Sequence, residues 1–132
     1  MKKYFFIFVF IYFWPGLVFA ESLECIFTKY GNSGYKESTA RSWVPEVQTH
    51  NIDGQNIFWE QAKELGSGSI SENNSSRIKF QYTSLSTDSK GAKAETKFKY
   101  TFHKTTNKVA VKVIFTGYLP INHIWGKCEV KE

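Results

Sequence analysis

The sequence lacks the signatures of catalysis and of metal binding. Its three histidines, His50, His103 and His123, stand on separate stretches with no H-x-H or H-E-x-x-H spacing, so no metal or other cofactor is expected. No serine lies in a G-x-S-x-G context. Only two cysteines occur, Cys25 and Cys128, and once paired neither is left as a nucleophile. The only two aspartates, Asp53 and Asp88, sit in turn-like surroundings. These absences argue for a non-enzymatic protein. Arginine is scarce as well: Arg41 and Arg77 are the only two among 17 basic residues. Base-edge recognition in nucleic acids leans on arginine forks, so nucleic acid is not an expected partner.

Long apolar runs are absent after residue 20, and the one run before it has a specific form. Lys2 and Lys3 precede the apolar and aromatic stretch Tyr4–Phe13, Pro15-Gly16 breaks it, and Val18-Phe19-Ala20 offers a cleavage site before Glu21. That order is the order of a secretory signal peptide. The alternative is an uncleaved anchor. The 17 residues from Tyr4 to Ala20 reach only the lower limit of a span, roughly 17–25 residues, and Pro15-Gly16 divides them. Residues 1–20 are therefore expected to be removed, leaving 21–132 as one domain with no stable membrane span, in the periplasm or secreted. Six of the twelve phenylalanines leave with that segment. Fifteen basic residues then face twelve acidic ones, a formal charge of +3.

Cys25 and Cys128 lie near opposite ends of the remaining chain, and in an exported protein the default is a disulfide. Closing a loop of about a hundred residues is worth roughly 4–5 kcal/mol in the chain-entropy description. Against a net stability of about 5–15 kcal/mol that is a large share.

What is present is two-residue periodicity. Phe98, Tyr100 and Phe102 alternate with Lys97, Lys99 and Thr101; after the polar break Lys104–Asn107, the residues Val109, Val111, Val113 and Phe115 form a second apolar track. A side-chain period of two makes this an antiparallel hairpin with one buried and one lysine-rich face. Ser22–Tyr30, Arg77–Ser84 and His123–Val130 also read as strands, and Gly68–Glu72 as a short one. Asp53-Gly54 between Glu46–Ile52 and Gln55–Gln61 predicts a hairpin with a type I′ turn. Within its second arm, Ile57–Leu65 fits either a strand, the preferred reading, or a short helix ending at Gly66. Tyr35–Ser42 reads as loose strand or loop, and Ser86–Ala94 as a mobile loop. Asn73 and Asn74 begin overlapping N-x-S triplets, acceptors for glycosylation only in a eukaryotic secretory pathway, and are read as a turn. The sum is an all-β fold: a single small antiparallel up-and-down barrel or strongly rolled sheet of about eight strands, closed by the terminal disulfide, with a β-sandwich as the alternative.

Two binding features stand out. The aromatics Trp43, Trp59, Tyr82, Tyr100 and Trp125 are numerous enough to line the interior or mouth of a barrel and hold a small apolar or lipid-like ligand. Equally, they fit the plain role of filling a narrow interior. The lysines Lys97, Lys99, Lys108 and Lys112 would form a face for an anionic cell-envelope component or an acidic protein. That face too has a plain reading, as a solvated surface that discourages edge aggregation.

Overall fold

The alternation is realised as an antiparallel meander that closes on itself. In this computed structural model, which describes residues 21–31, 34–87 and 89–132, the strands are β1 (Glu21–Tyr30), β2 (Val47–Asp53), β3 (Asn56–Trp59), β4 (Ser67–Asn73), β5 (Arg77–Thr87), β6 (Lys93–His103), β7 (Lys108–Phe115) and β8 (Ile121–Lys131). The expected signal peptide lies outside the described residues. Each strand pairs antiparallel with the next, and β8 pairs with β1, so the sheet is a closed eight-stranded barrel. Closure leaves no unpaired sheet edge.

Parity along the strands builds the core. Phe98, Tyr100 and Phe102 on β6 face Val113, Val111 and Val109 on β7 in direct register, and all six are buried. Leu23, Cys25 and Phe27 continue the inner surface from β1, and Ile124 and Cys128 from β8. Burying each large apolar side chain contributes about 1.5–3 kcal/mol. At the seam, Cys25 and Cys128 are cross-strand partners and form the disulfide, 103 residues apart in sequence. Gly126, also at the seam, lets β8 lie close against β1: a Cβ there would collide with the Ile26 carbonyl oxygen and sit 2.7 Å from Phe27 Cα. Beside this contact β1 carries a bulge between Phe27 and Lys29.

The structure corrects four local readings. Most of Tyr35–Ser42, read as loose strand or loop, lies in a short helix, α1 (Glu37–Trp43). It has no side-chain N-cap and buries only Ala40 among its seven residues, so neither capping nor periodicity announces it. Tertiary contact holds it instead. Trp43 packs edge-on against Phe115 at 4.8 Å, Tyr30 donates a hydrogen bond to the Val44 carbonyl at 2.6 Å, and Arg41 lies 4.4 Å over the Tyr30 ring. Ile57–Leu65 is divided between the two readings offered for it: a strand through Trp59, then a kinked 3-10 segment, Glu60–Leu65, that stops at Gly66 with φ of 70°. In the β2–β3 hairpin Asp53 pairs with Asn56, so the turn residues are Gly54 and Gln55, one position later than expected. Gly54 has φ of 64° and Gln55 is not in the left-handed region, the II′ rather than the I′ pattern; inward placement of Ile52 opposite Ile57 sets this register. Finally, β5 and β6 run on to Thr87 and from Lys93, leaving a shorter connection than the expected loop. Asn73 and Asn74 do lie at the β4–β5 turn, where Asn74 Oδ1 accepts bonds from the Ser76 and Arg77 amides.

Two consequences are measurable. The double variant Cys25→Ser, Cys128→Ser should lose about 4 kcal/mol in urea unfolding, and a loss below about 1 kcal/mol would mean that strand pairing alone holds the seam. Gly126→Ala should destabilise by at least about 2 kcal/mol, because the three nearest atoms it meets are all backbone and cannot rotate away.

Candidate functional site

Two places in the barrel carry polar chemistry: its axis and one outer face. On the axis, Gln48 and His50 alternate along β2 at inward positions and are fully buried. His50 Nδ1 lies 2.7 Å from the Tyr82 hydroxyl and His50 Nε2 lies 2.9 Å from Gln48 Oε1. Tyr100 donates to the same Gln48 oxygen at 2.8 Å, and Gln48 Nε2 donates to the Pro45 carbonyl at 2.9 Å. These constraints fix the proton positions. Gln48 Oε1 accepts, so His50 carries its proton on Nε2, and Nδ1 accepts from Tyr82. Gln48, His50, Tyr82 and Tyr100 are then hydrogen-bonded without a charge. Trp59, Phe80, Tyr82 and Tyr100 surround the imidazole at centroid distances of 4.9–5.6 Å, and none brings a carboxylate. Burial consequently pulls His50 down to about 3 and pushes the Tyr82 and Tyr100 phenols up.

The interior around this chain is densely occupied. Phe80 and Tyr100 stack at 4.7 Å with planes 7° apart, and Trp59 meets Phe98 edge-on at 5.7 Å. Tyr82 takes up the space that a side chain on β4 would need: a Cβ at Gly68 would lie 2.7 Å from its ring. Among the described residues one buried side-chain polar atom has no partner, Trp59 Nε1.

On the outer face, lysines meet across strands. Lys99 on β6 is directly opposite Lys112 on β7, and Lys108 on β7 is directly opposite Lys127 on β8. Among the described residues none of these four takes part in an ion pair, whereas Lys97 pairs with Glu95 at 3.3 Å. Opposed like charges on one sheet face are destabilising, since facing Cβ atoms are only about 4.5–5.5 Å apart. The β7–β8 pairing carries the basic face onto β8, and barrel closure carries it on to β1. There Lys29, Lys108 and Lys127 border a groove of about 600 Å³ whose apolar lining comes from Ile26, Trp125 and Gly126. One row further along, Glu24 faces Glu129, and Lys131 bridges them at 3.8 and 3.2 Å.

The five aromatics named from the sequence are thus divided. Trp59, Tyr82 and Tyr100 converge around His50. Trp43 is half-exposed at one barrel end, against Phe98 and Phe115. Trp125 faces outward, 43 % exposed, because Ile124, Gly126 and Cys128 occupy the inner track of β8. Of the four named lysines, Lys99, Lys108 and Lys112 lie exposed on one connected face and Lys97 is tied to Glu95. Lys29, Lys127 and the buried pair Gln48 and His50 were not singled out. The inward parity of Cys128 already implies that Lys127 and Trp125 point outward; nothing local marks Gln48 and His50 as interior. Among the described residues no three His, Cys, Asp or Glu side chains are grouped to hold a metal, and no helix is long and apolar enough to cross a membrane. No protein-family model matches the chain, and neither a curated protein nor a solved structure matches it.

The axis makes a pH prediction. An unfolded histidine titrates near 6.5 and the folded His50 near 3, so between those values the unfolded chain binds a proton that the native state refuses. Stability must fall as pH drops through that window. Between pH 6.5 and about 4, His50 should account for about 3 kcal/mol of the loss. In His50→Gln the difference in urea-unfolding free energy between neutral and acid solution should shrink by about that amount, even though the variant starts less stable. An unchanged difference would assign the acid sensitivity to carboxylates such as Glu72, which Arg77 holds below its ordinary range and which acts in the same direction.

Proposed function

We propose that this is an exported, non-enzymatic binding protein that works from the outside of its barrel, holding an anionic component of the cell envelope on the lysine face of β6, β7 and β8. The observation that carries this reading is two opposed lysine pairs, Lys99 with Lys112 and Lys108 with Lys127, left without acidic partners among the described residues. A fold selected only for stability would place an acid on one side of each pair, a change worth about 0.2–1 kcal/mol per pair. An anion lying between the strands relieves both repulsions at once. The disulfide and the signal-like first twenty residues are in keeping with an oxidising location.

A second reading has one observation in its favour. The unpartnered Trp59 Nε1 is the kind of buried donor that a small bound acceptor would satisfy. Native mass spectrometry of protein from its own host separates the two: a ligand mass lost on denaturation favours an interior site, and a bare monomer favours the surface.

The surface reading is tested by Lys99→Glu with Lys108→Glu, which turns both repulsive pairs into Glu–Lys pairs. Binding to an immobilised polyanion such as dextran sulfate should weaken by roughly tenfold or more and be salt-sensitive in the parent protein, while the thermal midpoint holds or rises. Unchanged affinity in the variant would refute the proposal.

A further inference from the structure

We infer that the groove between β1 and β8 docks the protein on an anionic lipid bilayer, with Trp125 and Ile26 entering the headgroup boundary and Lys29, Lys108 and Lys127 pairing with lipid phosphates. This rests on the anionic-face reading above and names its partner.

The groove joins two kinds of surface. Its cations come from three strands, Lys29 on β1, Lys108 on β7 and Lys127 on β8, and no acid lies among its lining residues. Its apolar part continues past the lysines: Ile26 is paired with Lys127 on one side and with Val47 on the other, and Ile26 and Val47 are 51 % and 61 % exposed. Trp125, 43 % exposed, lies beside the Lys29 bulge and opposite Ala110, a side chain too small to cover it. A hydrated acidic polysaccharide would satisfy the lysines and leave two branched aliphatics in water. A bilayer surface accounts for both. An indole has an apolar body and one N–H donor and prefers the headgroup level. Lysine stems can lie along apolar surface while their ammonium groups reach outward to phosphate. Anionic leaflets attract such basic clusters over a distance of about a Debye length. The acidic pair Glu24 and Glu129 lies one row away and bounds the patch on that side.

The test uses residues 21–132, which contain every described strand and the disulfide, so that the apolar first twenty residues do not contribute. Vesicles of phosphatidylcholine with phosphatidylglycerol are compared with vesicles of phosphatidylcholine alone, and dextran sulfate serves as a lipid-free polyanion. The expected result is co-sedimentation with the phosphatidylglycerol vesicles only, with tryptophan emission quenched by brominated acyl chains. That quenching should disappear in Trp125→Phe, and partitioning should fall by roughly tenfold or more in Lys29→Glu with Lys127→Glu. Binding to dextran sulfate without binding to vesicles overturns the bilayer inference and leaves the lysine-face reading intact. Vesicle binding with quenching that survives Trp125→Phe also overturns it, because another tryptophan would then be at the lipid. Binding to neither vesicles nor dextran sulfate overturns both.

Discussion

The pairing of β1 with β8 is the contact on which the other features depend. It turns a meander with two open edges into a barrel, sets Cys25 against Cys128, and gives the inner surface its last wall. It also makes the outer groove, since it brings Ile26 and Lys29 of β1 beside Lys127 of β8, which already pairs with Lys108 of β7. A glycine at position 126 is the steric condition for that approach. The same few residues therefore control stability on the inner side of the seam and surface chemistry on the outer side.

The interior follows a second constraint. An eight-stranded barrel is narrow, and here large aromatic rings occupy it with a neutral histidine among them. The hydrogen-bonded run Pro45, Gln48, His50 and Tyr82, joined by Tyr100, satisfies buried polar groups without any ionised side chain. Such a network specifies one arrangement of its strands, because slipping β2 by one residue would place Gln48 and His50 outside and strand the two phenols.

Fold class, antiparallel order and the disulfide were legible because each has a periodic or combinatorial signature. The alternation of Phe98, Tyr100 and Phe102 against Val109, Val111 and Val113 fixed the central hairpin, and two cysteines allow one pairing. Helix α1 was not legible, since its local support is the Glu37–Arg41 pair and the contact that seats it, Trp43 on Phe115, is far away in sequence. The turn at Gly54 and Gln55 was misplaced by one residue because Asp-Gly is a local cue and register is set by inward neighbours. On the candidate site, Lys99, Lys108 and Lys112 could be read from strand parity. Lys127 could be joined to them only through the β7–β8 register, and Lys29 only by knowing that the barrel closes. Polar inward residues such as Gln48 and His50 run against the hydrophobic pattern and become intelligible only when their partners are seen.

The seam also bears on when the protein can fold. With β1 needing β8, and the two cysteines 103 residues apart, the inner wall is incomplete until the last strand is available. Local hairpins such as β6–β7 can form earlier, but they expose an apolar face for as long as the first strand waits for the last. A chain built this way cannot close its barrel before its last strand is made, and until then its unpaired strands are prone to pair with those of another copy.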